Sequence, residues 1–154
     1  MTVAVGKPAP DFTMHTDGGG SVSLKDLKGK KVVLYFYPKD DTPGCTKEAC
    51  GFRDAMPDFS GLDAVIIGVS RDSVAKHDKF KTKYELPFTL ASDENGKTSE
   101  AYGTWVEKSM YGKKYMGMER ATFLIDEAGV LRNEWRKVKV PGHVEAVLEA
   151  VKAG

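Results

Sequence analysis

Cys45 and Cys50 are the two cysteines of this chain of 154 residues, and they stand five positions apart. The thiolate form of a cysteine is a nucleophile and a metal ligand. In a chain with so few cysteines, a pair of this kind indicates catalysis or redox chemistry rather than a disulfide scaffold. The alternative is that both are small, buried and inert side chains, which is the commoner fate of a cysteine.

The residues before Cys45 predict a strand and then a helix. Residues 32–37 are apolar, β-branched or aromatic without a break, the pattern of a strand buried on both faces. Pro38 ends this strand because a proline cannot donate to the ladder. Thr42 is a suitable N-cap whose hydroxyl can accept a backbone N–H, and the proline after it suits the first helical position. The predicted helix covers residues 43–56 and is stopped by Pro57.

This helix would place Cys45 in its first turn. The free N–H groups and the positive end of the helix dipole favour an anion there, so we expect the thiolate to form more readily than on a free cysteine. Cys50 would lie about 7.5 Å further along the axis, at about 1.5 Å per residue. A disulfide requires Cα atoms within about 7 Å of each other. The two sulfurs can therefore bond only if the first turns of the helix unwind.

The composition is that of an ordinary globular protein, and the length predicts a single domain over residues 1–154. Lys+Arg 23 against Asp+Glu 22 leaves a net charge of +1, so no large field recruits nucleic acid or an anionic membrane. The first residues lack the pattern of a signal peptide, and no stretch approaches the roughly 18 apolar residues of a membrane helix. These features predict a cytoplasmic protein.

The rest of the chain completes an α/β pattern. Residues 12–15 and 22–24 alternate in polarity around a glycine-rich turn, which predicts an N-terminal β-hairpin. Parallel strands linked by helices and finished by an antiparallel pair predict a thioredoxin-like fold, with a mixed central β-sheet flanked by helices on both faces. The further predicted elements are strands over 64–69, 88–90, 121–126 and 130–135, helices over 73–84, 98–102 and 142–152, and an irregular segment over 103–118.

One segment carries a family resemblance, Tyr35-Phe-Tyr-Pro-Lys-Asp-Asp-Thr-Pro-Gly-Cys-Thr-Lys-Glu-Ala-Cys50. It resembles the active-site segment of the peroxiredoxin Q group, also called bacterioferritin comigratory proteins. The resemblance covers nearly the whole chain, from Gly6-Lys-Pro-Ala-Pro-Asp-Phe12 to Val138-Lys-Val-Pro-Gly-His143. The proline, threonine and cysteine of the family's core pattern fall on Pro38, Thr42 and Cys45. Its distant arginine falls on Arg120, just before a predicted strand.

The resemblance implies thiol-dependent reduction of hydrogen peroxide and alkyl hydroperoxides, without a metal or an organic cofactor. Members with a second cysteine in this place are atypical two-cysteine enzymes, often monomeric and usually reduced by thioredoxin. It makes Cys45 the peroxidatic nucleophile and Cys50 the resolving cysteine of a Cys45–Cys50 disulfide. Because Gly44 and Gly51 each disfavour a helix by about 1 kcal/mol relative to alanine, we expect the helix to open easily. Gly51→Ala should then slow disulfide formation.

The same resemblance suggests roles for the neighbouring residues. Arg120 and the helix N-terminus would stabilise the thiolate, and the Thr42 hydroxyl would hold the peroxide together with the backbone N–H groups of Gly44 and Cys45. Pro38 would shield the site from bulk water. Each of these side chains has a plainer alternative, as an N-cap, a surface ion pair or a strand terminator.

Two features stay open at the level of sequence. Glu48 either orders Arg120 or is only a solvated helix residue. Residues 104–118 either cap the site, as a wall for alkyl hydroperoxides or a docking face for the reductant, or simply close the core. A non-catalytic redox sensor or electron carrier is the alternative function, although a carrier usually shows Cys-x-x-Cys rather than the spacing found here.

A zinc site is a weaker interpretation. Cys45, Cys50, His77 and His143 would supply the four ligands that structural zinc needs, but their spacing fits no common pattern. The sequence therefore predicts no metal, and we expect His77, His143 and the remaining histidine, His15, to be structural or surface residues.

Overall fold

The computed structural model describes residues 3–154, and within this range the chain forms a seven-stranded mixed sheet and a separate two-stranded hairpin. The elements in chain order are β1 (Thr13–Thr16), β2 (Ser21–Ser23), β3 (Lys31–Phe36), α1 (Pro43–Gly61), β4 (Ala64–Ser70), α2 (Val74–Tyr84), β5 (Thr89–Ser92), α3 (Lys97–Ala101), β6 (Trp105–Met110), β7 (Lys113–Met118), β8 (Ala121–Ile125), β9 (Leu131–Trp135) and α4 (His143–Ala153).

The large sheet has the strand order β2-β1-β5-β4-β3-β8-β9. Strands β3, β4 and β5 are parallel, whereas β8 runs antiparallel to β3 and β9 antiparallel to β8. The N-terminal hairpin of β1 and β2 is confirmed, and β1 joins the sheet through an antiparallel pairing with β5. The predicted thioredoxin-like fold with a mixed central sheet is thus confirmed.

Strand β3 lies at the centre of the sheet and contributes to a core on each face. Val33, Tyr35 and the following Tyr37 pack in the core that also holds buried residues of α1, α2 and α4. Val32, Leu34 and Phe36 point to the opposite core, which contains Tyr102, Met118 and residues of the N-terminal segment. Helices lie on both faces: the three long ones contribute to the first core, and the short α3 contributes Ala101 to the second.

Helix α1 is longer than the sequence predicts, because it continues through Pro57 to Gly61. A proline inside a helix costs roughly 3 kcal/mol. Phe59 lies beyond it, is fully buried and packs against Phe52 with ring centroids 5.9 Å apart. Burying such a side chain contributes about 1.5–3 kcal/mol, so packing holds the last turn in place and offsets most of the proline's cost.

The segment predicted to be irregular over 103–118 is the β6–β7 hairpin. Its two-residue turn is formed by Tyr111 and Gly112, both at positive φ (52° and 78°), as a type I′ turn requires. A tyrosine is an unusual residue in that position. The tip is exposed on both faces, with Tyr111 98% and Met110 57% exposed, so the alternation that normally marks a strand is missing.

Candidate active site

Cys45 lies in the first turn of α1, directly after the loop that leaves the central strand β3. Its side chain is buried, whereas Cys50 is partly exposed. Both thiols are free and α1 is helical through both positions. This is the geometry expected from the spacing, in which the sulfurs cannot bond while the helix is intact.

Arg120 lies just before β8 and reaches both Cys45 and Glu48. Its Nη2 donates to the Cys45 sulfur at 3.4 Å, and its Nη1 donates to Glu48 Oε1 at 2.7 Å. Gly44 leaves room for this guanidinium, since a Cβ there would lie 3.1 Å from Nη2. Burial opposes the charge, but Glu48 and Cys45 outweigh it and raise the pKa of Arg120. A fixed cation therefore faces the sulfur.

Glu48 is not a solvated helix residue, because its side chain is completely buried. Burial raises the pKa of Glu48 to about 7, against the opposing effect of Arg120. Within residues 3–154, its second oxygen, Oε2, has no hydrogen-bond partner. The geometry thus favours the first of the two interpretations of Glu48, in which it orders Arg120.

Thr42 has the extended backbone of an N-cap, but its hydroxyl does not cap the helix. Instead the hydroxyl donates to the carbonyl of Lys39 at 2.9 Å, so the predicted capping bond is wrong. The first intrahelical bond runs from the Thr46 N–H to the Thr42 carbonyl at 2.8 Å. The N–H groups of Gly44 and Cys45 precede that bond, and such groups form an anion site at a helix start.

A buried ion pair holds the loop between β3 and α1. His77 is fully buried on α2, and its Nδ1 lies 2.6 Å from Asp40 Oδ2 while its Nε2 lies 2.9 Å from the carbonyl of Ala91. A carbonyl can only accept, so Nε2 must carry a proton. Burial lowers the pKa of His77, but the bond and charge of Asp40 outweigh this and raise it. His77 is structural, as expected, and fixes the loop that carries Thr42.

Pro38 and Lys108, together with His143, complete the description of the site. Pro38 follows β3 and is exposed, so it forms the outer surface of the loop. Lys108 on β6 was not found from the sequence. Burial, and then the charge of Arg120, lowers the pKa of Lys108, and its alkyl stem crosses Gly117, where a Cβ would lie 3.1 Å from the Lys108 Cδ. The inner part of the β6–β7 hairpin therefore reaches the surroundings of Arg120.

His143, on α4, is the second residue whose place the sequence did not indicate. It is buried beside Glu48 and Thr122, 2.8 Å from the Thr122 hydroxyl. It does not join the cysteines in a metal site, and over residues 3–154 no group of three or more His, Cys, Asp or Glu side chains could hold a metal ion. In the same range, no helix is both long and apolar enough to cross a membrane.

Comparisons with known proteins give matches over most of this chain. Residues 5–134 match the model of the AhpC/TSA family. A Coxiella burnetii protein named "Putative peroxiredoxin bcp" is 60% identical over 148 residues, which are 96% of this chain and 98% of that protein. Peroxiredoxin Bcp of Bacillus subtilis is 57% identical over 152 residues, 99% of this chain and 97% of that one.

The fold also matches a solved structure of the Xanthomonas campestris bacterioferritin comigratory protein. The two share 43% identity at a TM-score of 0.92, over 98% of each chain. That protein was captured as a trapped intermediate and ligand complex, which gave insights into its alkyl peroxide reduction activity.

Proposed function

The chain belongs to the AhpC/TSA family and is a thiol peroxidase of the peroxiredoxin type, and we propose that Cys45 is the nucleophile of its reaction. The observation that carries the proposal is the contact of 3.4 Å between the Cys45 sulfur and Arg120 Nη2 at the start of α1. A thiolate is the reactive form of a cysteine, and a neighbouring cation and helix N-terminus both favour it.

In the first step the Cys45 thiolate attacks one oxygen of the peroxide. The sulfur–oxygen bond forms as the oxygen–oxygen bond breaks, and the leaving oxygen takes up a proton and departs as water or an alcohol. Cys45 is oxidised to a sulfenic acid. We expect the N–H groups of Gly44 and Cys45 and the guanidinium of Arg120 to act as donors that hold the peroxide and stabilise the charge on the leaving oxygen. The Thr42 hydroxyl gives its proton to the carbonyl of Lys39, so its oxygen can accept from the O–H of the peroxide.

In the second step the Cys50 thiolate attacks the sulfenic sulfur and forms the Cys45–Cys50 disulfide, while the sulfur–oxygen bond breaks and the leaving hydroxide takes up a proton to become water. The start of α1 must unwind for this, because both positions are helical in the reduced protein. Glu48 lies between the two cysteines, so unwinding also pulls on its ion pair with Arg120. A thioredoxin-like dithiol then reduces the disulfide and the helix re-forms.

The substrates we propose are hydrogen peroxide and alkyl hydroperoxides, with thioredoxin as the reductant. Alkyl peroxide reduction by the Xanthomonas campestris relative supports the second substrate class. We also propose a cytoplasmic monomer, which the family resemblance supports. Size-exclusion chromatography with light scattering over a range of concentrations tests the monomer.

The experiment for the mechanism is peroxide consumption coupled to thioredoxin, thioredoxin reductase and NADPH, for the wild type, Cys45→Ser and Cys50→Ser. We expect steady turnover in the wild type and none in Cys45→Ser. Cys50→Ser should consume one equivalent of peroxide and stop, because its sulfenic acid cannot form the disulfide. A wild type that forms a disulfide with peroxide but does not turn over with several dithiol reductants would instead be a redox sensor.

A further inference from the structure

His143 projects from the first turn of α4 into the space beneath the active site. Gly142 precedes it with a φ of 79°, a left-handed conformation that turns the chain into the helix. The side chain of His143 is only 4% exposed. Its ring meets Trp135 and Phe52 edge-on, with centroids 5.9 and 6.3 Å apart. Apolar rings thus hold the imidazole on two sides and leave few orientations open to it.

The polar edge of this ring faces the active site. His143 Nε2 lies 2.8 Å from the Thr122 hydroxyl on β8 and 4.0 Å from Glu48 Oε2. This is the Glu48 oxygen that Arg120 does not use and that finds no hydrogen-bond partner among residues 3–154. A buried carboxylate oxygen in that position is costly unless a donor faces it. At 4.0 Å His143 Nε2 is too far for a hydrogen bond to this oxygen, so the imidazole acts on it through the dipole of the ring.

We propose that His143 is a positioning residue of the peroxidase site, which acts through Glu48 on Arg120 and so on Cys45. Thr122 fixes the ring by accepting from Nε2–H in the tautomer that carries its proton on Nε2, and the positive edge of the ring then faces Glu48 Oε2 at 4.0 Å. This keeps Oε1 on Arg120 Nη1 and leaves Nη2 directed at the Cys45 sulfur. The inference rests on the proposed function, since it concerns the orientation of the residues assigned there.

The charges around the pair fit this role. Burial, and then the charge of Arg120, lowers the pKa of His143 to about 4, so the ring is neutral at neutral pH. A charged ring would compete with Arg120 for the carboxylate, whereas a neutral ring orients it without doing so. The charged and titratable groups that face the pair are Arg120, which acts on both residues, Glu145 on α4, which acts on His143, and Tyr35 on β3, which lies near Glu48.

The test compares His143→Leu, His143→Gln and Thr122→Val with the wild type, and uses the exposed His15→Gln as a control. Stopped-flow measurement gives the second-order rate of Cys45 oxidation by hydrogen peroxide. Carbon-13 NMR follows the titration of the Glu48 carboxyl, assigned with Glu48→Gln. We expect His143→Leu to lower the rate about tenfold and to move the Glu48 midpoint upward by about one pH unit, because the carboxylate loses the imidazole dipole that faces it.

The other variants separate positioning from simple damage to the core. His143→Gln should recover most of the rate, because its amide N–H can replace Nε2–H, and Thr122→Val should lose part of the rate by freeing the ring. If His143→Leu does not fold, the Thr122→Val and His143→Gln results decide the matter. A rate that falls without a change in the Glu48 titration, or does not fall at all, overturns the inference. Slow oxidation of the wild type itself would instead contradict the proposed function.

Discussion

Arg120 is shared between two groups that compete for its charge. Nη2 faces the Cys45 sulfur and Nη1 faces Glu48, so one planar guanidinium sets the distance between this sulfur and a buried carboxyl. Lysine could not do this, since its single ammonium cannot occupy both positions. The planar fork, as much as the positive charge, therefore defines this site.

We predict that Arg120→Lys lowers the second-order rate of Cys45 oxidation by roughly 100-fold or more, the range seen when one transition-state donor is removed. Stopped-flow oxidation by hydrogen peroxide measures it. Arg132→Lys is the matched control, because Arg132 forms an exposed ion pair with Asp126 and should react like the wild type. Equal rates for Arg120→Lys and the wild type would mean that the charge alone is sufficient.

These residues differ in how well they can be predicted from the sequence. Cys45 could be found from its own neighbourhood, because a buried strand followed by Thr-Pro-Gly predicts a helix start. Arg120 lies 75 positions from Cys45, and no local pattern links the two, so only the family resemblance indicated it. Glu48 and His143 depend on burial by distant elements, which no short stretch of sequence encodes.

In the proposed mechanism, helix α1 is folded for the first chemical step and partly unfolded for the second. Its later turns are well anchored, by the burial of Phe52 and Phe59 and by Arg53, whose Nη1 donates to the carbonyl of Tyr84 at 2.9 Å. Opening is therefore confined to the first turns. At Gly51 the backbone of α1 packs closely against α4, since a Cβ at this position would lie 3.0 Å from Val144 Cγ2. Gly51→Ala would thus combine greater helix propensity with strain against α4, and its effect on disulfide formation would have two causes.

Lys47 offers a cleaner test of helix opening, because it is exposed on α1 between the two cysteines. Lys47→Gly lowers helix propensity by up to about 1 kcal/mol and should speed disulfide formation up to about fivefold. The rate is measured by quenching with a thiol-specific alkylating reagent after one equivalent of peroxide. Lys47→Ala keeps the helix, and Lys79→Gly makes the same change on α2, so neither should alter this rate. Faster disulfide formation in Lys79→Gly would show that global destabilisation, not local opening, controls the step.

The same competition between local signal and packing explains which elements could be predicted. Strands β3, β4 and β8 have buried apolar runs, so their sequence pattern is strong and the predicted ranges were close. The helix end at Pro57 was wrong because the packing of Phe59 outweighs a local breaker. The β6–β7 hairpin was missed because an exposed ribbon shows no periodic burial.

The topology of the whole molecule brings the site together. Strands β3 and β8 are antiparallel neighbours, and Phe36 at the end of β3 pairs with Ala121 at the start of β8. The loop to Cys45 and the residue before β8 therefore emerge at the same edge of the sheet. Helix α4 packs on the same face of the sheet as α1, and its first residue, His143, is buried beside Glu48. Such an arrangement depends on strand order, which the sequence pattern left undetermined.

Two buried groups at this junction should have opposite effects on stability as the pH changes. The pKa of Glu48 is raised to about 7. Protonation of Glu48 therefore stabilises the folded state fully below the ordinary pKa of 4.5, and this stabilisation is lost as the pH rises through 7. The pKa of His143 is lowered to about 4 from 6.5, so its contribution is present above 6.5 and is lost as the pH falls. Between pH 4.5 and 6.5 the folded state holds one extra proton on Glu48 and lacks one on His143, so the two effects cancel.

Removing either group should expose the other, and the free energy of unfolding then becomes pH-dependent. From pH 4.5 to 6.5 we expect the free energy of unfolding of Glu48→Gln to rise by about 3 kcal/mol, at about 1.4 kcal/mol per pH unit. Over the same range we expect the free energy of unfolding of His143→Leu to fall by about 3 kcal/mol. Urea unfolding of the reduced protein at several pH values measures both slopes. The raised pKa of His77 adds a loss of stability above pH 6.5, but the wild type and both variants share this loss. Parallel curves for the two variants would show that these groups do not titrate in opposite directions on folding.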